Sequence, residues 1–139
     1  MHQKSKDLQK LSIIIPVYNE VRYLNNFSQR LFESFSKENV EYIFINDGSD
    51  DGSQEWLAKL LTKNNNIDIQ FIDLKVNTGK GNALHEGIKV AKGDYILFQD
   101  ADLELDTNDS LEMFNIIKND KKIRCLFGSR YLSGKLKKN

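Results

Sequence analysis

The sequence predicts an α/β layer fold around a mostly parallel sheet. Short apolar, β-branched runs alternate with segments of helical spacing along most of the chain. The first such run is apolar almost throughout, as suits a strand covered on both faces. Polar clusters stand where three of the runs stop, and ligands in such sheets bind beyond the carboxyl ends of the strands.

The elements follow in order. Leu11-Ser12-Ile13-Ile14-Ile15-Pro16-Val17 is the first strand, after a polar tail over residues 1–10 that is expected to be flexible. From Tyr23 the period changes, and Leu24, Phe27, Leu31 and Phe35 predict a helix reaching about Lys37. Glu41 to Asn46 reads as the second strand, ending in Asp47-Gly48-Ser49-Asp50-Asp51-Gly52-Ser53, a loop and helix start. Trp56, Leu57, Leu60 and Leu61 make a second amphipathic helix, stopped by Asn64-Asn65-Asn66. Ile67 to Leu74 alternates as a third strand, with Ile67, Ile69 and Phe71 set against Asp68 and Gln70. Ala83, Leu84, Gly87, Ile88 and Ala91 line a third helix, for which Gly93 is the expected C′ glycine. Tyr95 to Phe98 is a fourth strand, delivered into Gln99-Asp100-Ala101-Asp102. Leu111, Phe114 and Ile117 predict a fourth helix after an Asp109-Ser110 start, and Ile123 to Phe127 a fifth strand. Residues 11–134 form the expected domain, with a frayed end over 135–139.

Composition excludes several classes. At 139 residues there is room for one domain with a real core. Lysine plus arginine equals aspartate plus glutamate, at 20 each, so no global basic field exists to draw nucleic acid. Cys125 is alone, which excludes an internal disulfide; the residue reads as a small buried apolar one. No run approaches the roughly 18 apolar residues of a membrane span, and residues 1–10 lack a secretion signal's apolar stretch. A reducing, cytoplasmic setting is the expectation.

The chemistry concentrates in a few clusters. Asp100 and Asp102, spaced by one residue at a strand end, can share a hard divalent cation such as Mg²⁺ or Mn²⁺, with phosphate oxygens completing its shell. The competing reading is a solvated acidic turn. Asp47 can accept hydrogen bonds from a base or ribose, while Ser49, Asp50 or Ser53 caps the following helix. Gly79-Lys80-Gly81 fails the P-loop pattern, which needs serine or threonine after the lysine, and the dinucleotide pattern fails at Leu84. What remains is a turn opening a helix with a cation, suited to an anion or simply solvated. An EF-hand fails at Ala58, where glutamate is required, and at Leu105 in the acidic run from Asp100. His2 and His85 have no partner spacing for metal or nucleophilic work, and His85 reads as surface or structural.

Five blocks in order resemble family-2 glycosyltransferases. They are residues 13–20 (Ile-Ile-Ile-Pro-Val-Tyr-Asn-Glu), 45–52, 77–83, 93–95 and 99–104, and Gly128-Ser129-Arg130-Tyr131 extends the likeness. The similarity is greatest to the polyprenyl-phosphate sugar synthases of the dolichyl-phosphate mannose or glucose type. The resemblance implies a three-layer α/β/α GT-A fold and inverting transfer from a nucleotide-diphosphate sugar to a polyprenyl phosphate or a saccharide. It implies that Pro16, Tyr18, Glu20 and Asp47 hold the nucleoside, and that Asp100 and Asp102 are the catalytic pair engaging metal and diphosphate. Ala101, Lys80 and Arg130 would join the donor site, and Glu104 would be a third metal ligand. Peripheral membrane association of a longer protein is a further implication, because family members continue into an acceptor-binding part beyond this length.

Two rival classes stand beside this. A sugar nucleotidyltransferase needs a glycine-rich basic loop after the first strand, where Pro16-Val17-Tyr18-Asn19-Glu20 stands instead. A nucleotide-sugar-binding module without activity of its own is the other.

Overall fold

The computed structural model describes residues 9–128. They fall into two compact units that divide between Leu105 and Asp106.

The first unit holds a four-stranded, fully parallel sheet in the order β3-β2-β1-β4. Its strands are β1 (Leu11–Val17), β2 (Val40–Asp47), β3 (Asp68–Leu74) and β4 (Tyr95–Phe98). The central pair is buried nearly end to end, because Ile13, Ile14 and Ile15 of β1 and Ile43, Phe44 and Ile45 of β2 supply apolar side chains to both faces. The edge strands carry what the middle could not. Asp68 of β3 and Ile96 and Phe98 of β4 are exposed.

Helices α1 (Val21–Ser34) and α2 (Ser53–Lys63) pack together on one face, and α3 (Lys80–Val90) covers the other. Leu24, Phe27 and Leu31 form the buried stripe of α1, whose Phe32 meets Tyr42 of β2 edge-on at 4.8 Å. The next residues along β2 point the opposite way. Ile43 and Ile45 join Ile14 and Ala83 in a cluster beneath α3. Gly87, one turn after Ala83, lets that helix settle, since a Cβ there would lie 2.5 Å from Ile14 Cγ2. This is the expected three-layer α/β/α arrangement.

The chain path creates a crevice. From β1 the strands step outward through β2 to β3, and α3 then carries the chain back so that β4 pairs with the other side of β1. Strand order therefore reverses between β1 and β4, the place where parallel α/β sheets bind ligands.

The entry to β4 is clamped at the sheet's opposite end. The buried Glu41 carboxylate accepts from the Ser12 hydroxyl at 2.6 Å and the Lys92 amide at 2.5 Å, while Ser12 Oγ accepts from the Gly93 amide at 2.8 Å. Gly93 is not the positive-φ C′ glycine expected; Ala91 is the C-cap. It is required instead by close approach, as a Cβ would sit 2.6 Å from Ser12 N and Oγ.

The second unit contains α4 (Thr107–Asn119), which starts earlier than the expected Asp109-Ser110 because the Asp106 carboxylate caps the Asn108 amide at 2.9 Å. The expected fifth strand does not form over Ile123–Phe127. The Ile123 amide turns back to the Asp120 carbonyl, and Arg124, Cys125 and Phe127 are exposed, so no buried face rewards an extended conformation. Cys125 is correspondingly exposed rather than buried. Among the described residues no helix is long and apolar enough to cross a membrane.

Candidate active site

Four loops meet at the carboxyl edge of the sheet, and backbone demands explain how two are joined. Asn19 takes φ of 53°, a left-handed conformation that asparagine tolerates, and its side chain accepts from the Asp50 amide at 2.9 Å. Its own amide donates to Ser49 Oγ, and the next amide, of Glu20, donates to Ser53 Oγ. Asp51 then accepts from the Val21 amide with one oxygen and from the Ser53 amide and hydroxyl with the other. Burial alone would raise this carboxyl, but the hydrogen bonds from Ser53 and Val21 outweigh it and hold the group below its ordinary range. Asp51 thus caps the starts of α1 and α2 together. Ser49 and Ser53, expected as caps of their own helix, are committed to the neighbouring loop, and the N-cap Gly52 has no side chain to offer.

Asp47 performs a similar task on the other side. It is buried, its Oδ1 accepting from the Thr78 amide at 2.9 Å and hydroxyl at 3.2 Å, its Oδ2 from the Gly79 amide at 3.0 Å. Gly48 makes this approach feasible: at φ of +70°, a Cβ would lie 2.3 Å from the Asn77 nitrogen. The residue expected to receive a nucleoside therefore anchors the loop that opens α3. Asn46 and Asp73 brace the same corner at 2.8 Å, with Gln54 on the second Asp73 oxygen at 2.8 Å.

Carboxylates gather at the β1–β4 crevice. Glu20 lies close enough to Asp102, Asp51 and Asp100 that burial first, and then these charges, push its carboxyl above the ordinary range, with Arg22 opposing. Glu20, Asp100 and Asp102 are thus near enough to feel one another's charge. Lys80, the first residue of α3, forms an ion pair with Asp100. Asp102 Oδ1 accepts from the Glu104 amide at 3.1 Å. Of the remaining expected residues, Pro16 stands half-buried opposite Ile45, Tyr18 is 49% exposed and Ala101 is buried. His85 is exposed on α3, as read from the sequence. Arg130 lies outside the described residues.

The expected ligand trio is not assembled. Among the described residues no three histidine, cysteine, aspartate or glutamate side chains converge on one point, so Glu104 does not complete a protein cage with Asp100 and Asp102. Its backbone amide donates to Asp102 in a short turn. The oxygen-only donors that do gather suit Mg²⁺ or Mn²⁺, which take one or two carboxylates and leave the rest of the shell to water and phosphate.

Residues 12–136 match the family described as Glycosyl transferase family 2. The chain belongs to that family. The poly-β-1,6-N-acetyl-D-glucosamine synthase of Staphylococcus aureus is 34% identical over 129 residues, covering 93% of this chain and 30% of the relative. The synthase of the same name from Staphylococcus epidermidis is 32% identical, covering 94% and 31%. The family-2 chain thus spans under a third of the length of these relatives. Among solved structures, the mannosyltransferase PcManGT from Pyrobaculum calidifontis, in complex with GDP-Man and Mn²⁺, superposes with a TM-score of 0.71 at 21% identity, over 83% of this chain and 34% of that one. TarS from S. aureus in complex with UDP gives 0.58 at 24% identity, over 78% and 32%. These likenesses establish the GT-A-type fold. The two staphylococcal relatives are, by name, polysaccharide synthases.

Residues that local sequence does not single out hold these loops together. Asn19, Asp51 and Thr78 went unassigned, although Asn-Glu and Asp-Gly dipeptides flanking two strand ends signal turns whose side chains bond to backbone. Which loop each would bond to is a tertiary fact, and no local spacing states it.

Proposed function

We propose that this chain is the donor-binding part of a glycosyltransferase that moves a sugar, with inversion, from a nucleotide-diphosphate sugar to a saccharide acceptor. The observation that carries this is the Lys80–Asp100 ion pair at the strand-order reversal between β1 and β4, with Asp102 two residues on and Glu20 within reach of both aspartates' charge. Clustered carboxylates beside one lysine are costly unless a cation and its anionic partner share the space.

In this reading Asp100 and Asp102 hold Mg²⁺ or Mn²⁺ together with diphosphate oxygens. The ion supplies neutralisation of the charge that develops on the departing nucleoside diphosphate. The other residues bind and orient. Exposed Tyr18, next to Pro16 at the end of β1, offers a flat apolar surface for the nucleoside. Asp47 fixes the Thr78–Gly79 backbone and with it the start of α3, so that Lys80 reaches the phosphates. Ala101, buried between the paired aspartates, keeps the turn against the sheet. The names of the staphylococcal relatives support a saccharide acceptor over the polyprenyl phosphate that the sequence blocks suggested. GDP-Man with Mn²⁺ in one structural neighbour and UDP in another support a nucleotide-sugar donor and a divalent ion.

Calorimetric titration with UDP- and GDP-sugars tests the proposal. Binding is expected with Mn²⁺ and not with EDTA, and Asp102→Asn is expected to weaken it by about tenfold or more, roughly 1.4 kcal/mol, with an unchanged circular dichroism spectrum. Failure of every nucleotide sugar under both conditions contradicts it.

A further inference from the structure

We infer that Lys80 acts as an internal counter-cation for Asp100, so that metal and donor enter the site as a coupled pair. The inference rests on the proposed reading of Asp100 and Asp102 as the cation-holding residues. It concerns what occupies Asp100 before either ligand arrives.

The Lys80 ammonium is paired with Asp100 Oδ1. The two residues come from different parts of the fold: Lys80 opens α3 on one face of the sheet, and Asp100 leaves β4 at its carboxyl edge. Their meeting depends on the Thr78–Gly79 backbone that the Asp47 carboxylate holds, so the pair is a built contact and not a helix-surface neighbour. Asp100 is also one of the charges that Glu20 feels, with Asp102 and Asp51, while Arg22 opposes them and lies over the Tyr23 ring at 5.4 Å.

An ammonium and a divalent ion compete for the same carboxylate oxygen. Lysine has three donors and no acceptor, so it neutralises Asp100 without helping to ligate a metal, and the two cations repel at contact distance. Metal arriving alone must either bind a carboxylate that Lys80 has already neutralised, beside its positive charge, or displace Lys80 from it. Metal arriving with a diphosphate meets a different situation. The phosphate oxygens offer Lys80 a new anion, and its side chain, 59% exposed on a flexible four-carbon stem, is free to move to them. Asp100 is then released to the ion. By linkage, a donor that strengthens metal binding is itself strengthened by metal to the same factor.

The test is Mn²⁺ uptake followed by the electron paramagnetic resonance signal of the free ion, alone and with UDP or GDP. It uses the wild-type chain, Lys80→Met, Lys80→Arg and Lys75→Met. Lys75 pairs with Asp73 past the end of β3, the opposite edge strand, and controls for loss of one positive charge as such. Lys80→Met is expected to bind Mn²⁺ alone about two- to fivefold tighter than wild type, the scale of an exposed ion pair. The same variant should show a smaller gain in Mn²⁺ affinity when nucleotide is added, Lys80→Arg, which keeps the charge, should retain more of that gain than Lys80→Met, and Lys75→Met should behave as wild type. Nucleotide-dependent Mn²⁺ uptake with no tightening in Lys80→Met, or equal tightening in Lys75→Met, overturns this inference alone. No Mn²⁺ uptake by wild type with either nucleotide overturns both it and the proposed function.

Discussion

At the scale of single residues, the carboxylates divide by what their oxygens already bond. Asp51 and Asp47 have their acceptors committed to backbone amides and hold loops in place. Glu20 has no such compensation, and burial with the charges of Asp102, Asp51 and Asp100 raises its carboxyl above 4.5. A raised acid binds more protons in the folded state, so its contribution to stability falls as pH climbs from its unfolded value through its folded one. Glu20→Gln removes that contribution. The variant is expected to be more stable than wild type at pH 7, with the gap closing as pH drops below about 4, where the unfolded carboxyl is protonated too. Urea denaturation across this range measures the gap, and a constant offset at every pH counts against the assignment. The acidic residues themselves were legible in the sequence as clusters at strand ends. Their division into anchors and ligand-facing groups was not, because a carboxylate's role depends on which distant amides reach it.

At the scale of elements, hydrophobic periodicity located four strands and four helices, since each buries a stripe or face that the sequence displays. Leu24, Phe27 and Leu31 line the core side of α1 as their spacing requires. The ends were less legible. α1 starts at Val21, ahead of Tyr23, because Asp51 of another loop satisfies its first amide. The run at Ile123–Phe127 has strand-like composition, yet it lies exposed with a turn at its head. β-propensity without a partner strand does not make a strand. Glycines also changed meaning between sequence and structure: Gly93 serves close approach to Ser12, and Gly87 serves contact between α3 and the sheet. Gly87→Ala would improve an isolated helix by close to 1 kcal/mol. Here the added methyl meets Ile14 at 2.5 Å and Ile45 at 3.0 Å, so a net loss of about 1–3 kcal/mol is expected in chemical denaturation. A variant as stable as wild type would mean that α3 rides higher on the sheet than described.

At the scale of the whole molecule, function follows from the order β3-β2-β1-β4. Alternating apolar runs announced the layers, and polar clusters announced which edge carries chemistry. The sequence did not state that β4 returns to the far side of β1, which sets Glu20 beside Asp102 and Lys80 beside Asp100. That return depends on α3 lying across Ile14 and Ile45 and on the clamp of Ser12, Glu41 and Gly93 beneath β4. The central claim is that a divalent ion and a nucleoside diphosphate meet at this crevice. Paramagnetic broadening of backbone amide resonances by Mn²⁺, recorded with and without UDP, tests it most directly. The account predicts nucleotide-dependent broadening centred on Ala101 and Asp102, extending to Glu20 and Gly79, and sparing Ser12 and Glu41 at the sheet's other end. Broadening that ignores the nucleotide, or that centres away from the β1–β4 edge, would contradict it.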